Sequence, residues 1–236
     1  MDHQRRIIDH YATVPQGSVF VRPEDVLALA RSRPLRPDAR MLDVGCGQGQ
    51  AAIALALAYP QAEMIGIDLS PEQIEHARRA AAAAGARNVQ FQVADWTGFG
   101  LPPDGVDLIV ATQVIQFMPD EHEFAHYLAS GLAADGHLLL RSVLLPEDEP
   151  GRSFVQQVML QFIRHSLRFY SERDLTELLR EAGLSRFRID KEEMWLDDLP
   201  ADRAAILDGE LRAMGLGLDD VQPWFWAGTI SAVRRA

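Results

Sequence analysis

Between residues 40 and 145, short apolar runs alternate with stretches whose apolar residues keep helical spacing. Arg40–Val44, Glu63–Ile67, Asn88–Val93, Val106–Ala111 and His137–Leu145 read as strands. Runs such as "DLIVA" and "HLLLRSVLL" are apolar on nearly every residue, as strands covered on both faces must be. Gln50–Ala58 is small and apolar all round, the pattern of a buried helix. The next helix, "PEQIEHARRAAAAA", carries its own punctuation: Ser70 to cap it, Pro71 at its first position, Gln73 to complete a capping box and Gly85 to end it. Asp120 opens a further helix to about Ala133, where Ala134-Asp135-Gly136 closes it. Strands separated by helices predict parallel pairing with right-handed crossovers, hence an α/β, doubly wound sheet. Past the fifth strand, Phe154, Val158, Phe162 (or Gln161) and His165 form one helical stripe, flanked by Met159, Ile163 and Leu167.

Composition narrows what such a sheet serves. A chain of 236 residues with 47% hydrophobic content suits one domain, and no apolar run approaches the roughly 18 residues of a membrane span. Net charge is −11, and the basic spots at Arg5-Arg6, Arg78-Arg79 and Arg234-Arg235 are small and scattered. Nucleic acid and anionic membrane are therefore not expected partners, because neutralising phosphates takes clustered Lys and Arg. "MDHQRRIIDHYATV" lacks the apolar core of a secretory signal, and one cysteine, Cys46, rules out an intrachain disulfide; both point to the cytoplasm.

Candidate chemistry sits at the strand ends, where a sheet of this kind binds its ligands. Strand one ends in Asp43 and "GCGQG", strand two in Asp68, strand three in Asp95 and strand four in "ATQVIQF". Three successive strands deliver an aspartate to one rim. A helix cap explains Asp120; it explains Asp68 poorly, since Ser70 already caps the following helix. The loop lacks the Gly-Lys-Ser/Thr of a nucleotide-triphosphate loop, and its G-x-G-x-G is followed by Gln50, one residue out of step with a dinucleotide fingerprint. Asp43, two residues before the first glycine, would repel a pyrophosphate and welcome a cation.

"LDVGCGQG" resembles motif I of the class I S-adenosylmethionine-dependent methyltransferases. The resemblance continues through "GIDLS", "VADW", "VDLIVATQVIQF", "LAADGHLLL", "YSERDLTELLREAGLSRFRI" and "FWAGTISAVRR", in the family's order. It departs at Ala134-Asp135, where Lys/Arg-Pro is usual. Within the family the chain looks closest to small-molecule enzymes of the ubiquinone/menaquinone and polyketide-tailoring type. The resemblance implies a Rossmann-like sheet, mostly parallel with an antiparallel last strand, a helical N-terminal cap (1–35) and a helical lid insert (146–170) within a single domain, 1–236. It implies S-adenosylmethionine as cofactor, S-adenosylhomocysteine as product, and a small, apolar or aromatic acceptor methylated on O, N or C by a monomer or homodimer.

The residue roles it implies follow the motifs. Gly45, Cys46 and Gly47 approach the methionyl part and Asp43 its ammonium. Asp68, with Leu69 beside it, takes the ribose hydroxyls. Asp95 takes the adenine amino group, with Trp96 beside the ring. Gln113 lies where the chain passes the cofactor, and Tyr11 resembles a tyrosine that covers it. Met159, Phe162, His165, Tyr170 and Trp195 are the candidate acceptor walls, and His165 is the candidate base. "HEFAH" at 122–126 matches H-E-x-x-H, but the fold already accounts for this helix and no metal is expected. Two other readings stay open: a protein on this fold that binds S-adenosylmethionine without methylating, such as a cyclase or a regulatory binder, and an NAD-dependent oxidoreductase, disfavoured by Asp43 and Gln50.

Overall fold

A computed structural model describes residues 3–12, 23–32, 35–194, 196 and 199–234. Among them, eight strands form one sheet in the order β3-β2-β1-β4-β5-β8-β7. These are β1 (Arg40–Val44), β2 (Glu63–Asp68), β3 (Val89–Val93), β4 (Val106–Thr112), β5 (Leu132–Leu145), β7 (Leu184–Glu193) and β8 (Trp226–Arg234), with the two-residue β6 (Tyr170–Ser171) beside the end of β5. The first five run parallel; β8 is antiparallel to β5 and β7. Strand order reverses between β1 and β4, which puts the crevice of a doubly wound sheet at their carboxyl ends.

Helices cover both faces. α2 (Pro23–Arg31), α3 (Gln50–Ala58) and α4 (Pro71–Ala84) enclose one core around Met41, Leu55, Met64, Ile74 and Leu108. α5 (Glu121–Gly131), α6 (Gly151–Phe162), α7 (Glu172–Glu181) and α8 (Ala201–Met214) enclose the other, around Ile109, Phe124, Leu140, Val158 and Phe225. α1 (His3–Ala12) and the short α9 (Leu218–Val221) complete the helices. No helix of the described residues is long and apolar enough to cross a membrane.

α4 follows its sequence punctuation closely. Ser70 accepts the Gln73 amide, Pro71 opens the helix, and Gly85 ends it at φ 72°. The Ser70 amide, which Gln73 was expected to take as its half of a capping box, instead goes to Asp68 Oδ1 at 2.9 Å. Asp68 is thus part of the helix entry as well as of the rim. Ser70→Ala is expected to cost about 1 kcal/mol, read as a lower urea midpoint at unchanged slope.

Two boundaries differ from the sequence reading. α5 stops at Gly131, and Ala134-Asp135-Gly136 lies inside β5. The register between β4 and β5 shifts there, between Val106 and Leu108. A Cβ at Gly105 would lie 2.4 Å from the Ala133 nitrogen, so glycine lets the two backbones touch. α6 ends at Phe162, not beyond His165, and His165 adopts φ 67° in the turn that follows.

The apolar stripe of α6 is core. Met159 and Val158 are fully buried, and Phe154 meets Trp224 and Phe225 edge-on at 5.8 and 6.2 Å. Gln157 and Gln161, on the other side, donate to Glu210 of α8 at 2.6 and 2.7 Å. The expected acceptor walls Met159 and Phe162 therefore pack inward. Helical periodicity identifies an apolar face without saying what covers it.

Candidate functional site

The glycine loop joins β1 to α3, and four of its amides, at Gly45, Cys46, Gly47 and Gly49, are already engaged within the protein. The Gly45 and Cys46 amides both donate to the Ile67 carbonyl, at 2.8 and 3.0 Å, and Gly49 donates to the Cys46 carbonyl at 2.9 Å. The Gly47 amide donates to Asp68 Oδ2 at 2.9 Å. A phosphate cradle needs such N–H groups turned outward to the anion; these turn inward. Two glycines are enforced by contact. A Cβ at Gly45, φ 70°, would sit 2.7 Å from Val114 Cγ2, and one at Gly49, φ 79°, would sit 2.6 Å from the Phe91 ring. The loop is thereby wedged between β3 and the turn after β4. Cys46, buried with its thiol pKa pushed up by burial, packs against Gly66 and is no nucleophile.

Two carboxylates flank this loop. Asp43 is 1% exposed, and neither of its oxygens accepts a well-formed hydrogen bond among the described residues. Burial, then the nearby Asp68 charge, push its pKa up to about 7, against a weaker pull from the Ala52 amide. Asp68 is half-buried; burial raises its pKa while the amides of Ser70, Gly47 and Leu69 draw it back. Asp68 Oδ2 accepts the Gly47 amide and Oδ1 the Ser70 amide, and lone-pair capacity remains for a further donor. A buried carboxylate without a partner costs several kcal/mol unless it protonates or meets a cation. The pair therefore fits a ligand bearing an ammonium and adjacent hydroxyls, as S-adenosylmethionine does.

At the end of β3, Asp95 Oδ1 accepts the Thr97 amide at 3.1 Å. Gln4 of α1 reaches Asp95 Oδ2 at 2.5 Å, and His3 lies 3.2 Å from the Phe117 carbonyl, so α1 bridges the ends of β3 and β4. Trp96 packs its ring on Phe124 and Tyr127 of α5, at 5.3 and 5.2 Å between centroids. Leu69, half-buried, follows Asp68 at the rim. Tyr11 stands on α1, but its side chain lies outside the described residues, as does Trp195.

The turn after β4 supplies the far wall. Gln113 takes φ 53°, its amide donating to the Arg141 carbonyl at 2.8 Å. Gln116, fully buried, donates from Nε2 to Gln113 Oε1 at 3.1 Å. The segment carrying the candidate lid residues lies alongside: the Leu167 amide donates to the Gln116 carbonyl at 2.7 Å, with half-buried His165 two residues before it. Tyr170 pairs with Leu144 beyond the end of β4, its hydroxyl buried without a partner. His122 and His126 are exposed on α5, and His122 lies 3.6 Å from Glu181. Among the described residues, no three His, Cys, Asp or Glu gather as metal ligands.

The structure thus gathers Asp43, Gly45, Cys46, Gly47, Asp68, Leu69, Asp95 and Gln113 at one rim, and moves Met159 and Phe162 to the core. Sequence reasoning missed Phe91 and Val114, which clamp the loop, Gln4, which reaches Asp95, and Gln116. Only Gln116 left a visible signal: a second glutamine in the otherwise apolar "VIQF".

Known proteins resemble this chain in sequence and in fold. The model of a methyltransferase domain family matches residues 35–183. A trans-aconitate 2-methyltransferase of Afipia carboxidovorans is 34% identical over 139 residues, 54% of this chain and 51% of that protein. A 27-O-demethylrifamycin SV methyltransferase of Amycolatopsis mediterranei is 32% identical, over 66% of this chain and 57% of that protein. The chain thus spans about half the length of these curated relatives. The crystal structure of YcgJ from Bacillus subtilis superposes with a TM-score of 0.78 at 22% identity, covering 91% of this chain and all of that one, a likeness of fold.

Proposed function

This chain belongs to the methyltransferase domain family, and from that premise we propose that it transfers a methyl group from S-adenosylmethionine to a small metabolite. The observation that carries the reading is the buried Asp43 carboxylate, unpartnered among the described residues, beside Asp68 at a glycine loop whose glycine amides are already engaged. S-adenosylmethionine, when bound, supplies an electrophilic methyl on sulfur and leaves as S-adenosylhomocysteine. The protein's part is to bind and orient. Asp43 would neutralise the ammonium end, Asp68 would hold the ribose hydroxyls through its remaining lone pairs, and Asp95 would turn from Gln4 to the adenine amino group. α1, lying across the rim, would exclude water. Positioning of this kind supplies most of what an in-line displacement requires.

The acceptor reading rests on names and on surroundings. The relatives are named for an organic acid and for a macrocyclic antibiotic, both small molecules, and the net charge of −11 disfavours nucleic acid. His165 remains the candidate base only if the acceptor arrives protonated. The setting is the cytoplasm, where a lone thiol such as Cys46 stays reduced.

The test is release of S-adenosylhomocysteine from S-adenosylmethionine on addition of a metabolite library, with Asp68→Ala as the blank. Acceptor-dependent release, absent from the blank, is the expected result. A protein that binds S-adenosylmethionine tightly yet releases nothing with any library member would count as a non-methylating binder.

A further inference from the structure

The rim holds a second set of orphaned polar atoms, and it lies across the glycine loop from Asp68. Gln113 and Gln116 are joined by one hydrogen bond, Gln116 Nε2 to Gln113 Oε1 at 3.1 Å. That bond consumes one N–H group and one carbonyl. It leaves Gln113 Nε2 and Gln116 Oε1 buried and without partners among the described residues. Gln116 is 0% exposed. Leaving a buried amide unsatisfied is costly, and such groups in a native chain call for an explanation.

Nothing about their placement is loose. The Gln113 amide is tied to Arg141, and its backbone is held at φ 53°, a conformation a non-glycine residue rarely adopts. Gln116 sits in the 3₁₀ turn Ile115–Phe117, fixed on its other side by the Leu167 amide. Val114, between them, is the residue that would collide with a Cβ on Gly45. The pair is therefore rigid and directly adjoins the loop assigned above to the methionyl part of the cofactor.

We propose that Gln113 and Gln116 form the subsite that holds the hydroxyl group of the acceptor, so that the acceptor of this protein is an uncharged alcohol or phenol. The inference rests on the methyl-transfer reading of the rim. One unpaired donor and one unpaired acceptor, on two amides joined by a hydrogen bond, match a group that both accepts and donates, as a hydroxyl does. A carboxylate only accepts, and would leave Gln116 Oε1 orphaned. An ammonium only donates and would leave Gln113 Nε2 orphaned. Neither amide takes up a proton at neutral pH, so both are positioning residues: they orient the oxygen and leave its deprotonation to another group.

The experiment uses the full chain saturated with S-adenosylhomocysteine and a fragment panel in matched sets: phenols and aliphatic alcohols, their methyl ethers, and the corresponding carboxylic acids. Binding is followed by ligand-observed NMR, with the dissociation constant of S-adenosylhomocysteine and the Tm measured on every variant. Hydroxyl fragments are expected to bind the parent, with ethers and acids at least about tenfold weaker, the discrimination one hydrogen-bonded group provides. Gln116→Leu, which removes the orphaned carbonyl, is expected to abolish that preference while keeping S-adenosylhomocysteine affinity within about twofold and Tm unchanged or higher. Gln113→Asn, which tolerates the left-handed backbone but shortens the reach, is expected to weaken hydroxyl fragments in the same way. Preference for acids or ethers, no hydroxyl-dependent binding, or preference surviving in both variants would overturn the proposal. Loss of S-adenosylhomocysteine affinity in both variants would also overturn it, by making the pair a cofactor site; failure of the parent to bind S-adenosylhomocysteine would instead overturn the reading of the rim itself.

Discussion

Replacing Asp68 with alanine is expected to weaken S-adenosylhomocysteine binding at least about a hundredfold. Two ribose hydroxyls would each donate to a charged acceptor, bonds worth roughly 1.5–3 kcal/mol apiece, against about 1.4 kcal/mol per factor of ten. The measurement is a thermal shift backed by calorimetry. For the parent, ligand at about 100 times its Kd adds roughly 2.7 kcal/mol, which at this chain length moves Tm by about 5–10 °C. The variant at the same concentration should shift by about 1 °C or less, and NAD should shift neither. The substitution also removes the acceptor for the Gly47 and Ser70 amides. Its apo form should therefore unfold at lower temperature while remaining folded at 25 °C. Equal shifts with NAD, or undiminished binding by the variant, would assign the loop to another ligand.

S-adenosylhomocysteine affinity should also fall about tenfold between pH 8 and pH 6. Asp43, with its pKa pushed up to about 7 by burial and by Asp68, must be ionised to face the ligand's ammonium. Below its own pKa each pH unit then costs up to a factor of ten. Calorimetry at pH 6.5 in buffers of differing ionisation enthalpy should show proton release on binding. For stability the sign runs the other way. A carboxyl raised from about 3.9 in the unfolded chain to about 7 in the fold binds its proton more tightly when folded. The apo protein should therefore lose stability as pH rises from about 4 through 7, by no more than about 4 kcal/mol. Asp43→Asn should remove that slope, stabilise the apo protein at pH 8 and bind the ligand poorly at every pH. A flat affinity profile in the parent would mean that Asp43 does not meet the ammonium.

The α/β class, the positions of the first five strands along the chain and the aspartates at their ends were all legible in the residues, because each depends on short-range signals. β4 shows itself as "DLIVA" since a strand covered on both faces carries few polar residues. α4 shows its ends in Ser70, Pro71 and Gly85 because orphaned helix-end amides and carbonyls must be met locally. The glycines of "GCGQG" mark a close approach, though not to what: that Val114 and Phe91 are the bodies pressed against Gly45 and Gly49 follows only from how β3 and β4 flank β1.

Tertiary structure decided three further matters. The stripe of α6 has one period whether it faces an acceptor or a core; in the fold it packs against Phe225 and into the core, and the helix stops short of His165. Asp68 became both rim and helix entry because β2 delivers it within 2.9 Å of two amides 21 and 2 residues away in the chain. The orphaned atoms of Asp43, Gln113 and Gln116 were invisible in the sequence for one physical reason. A polar side chain declares its type in the chain, but whether it finds a partner depends on every element that closes around it.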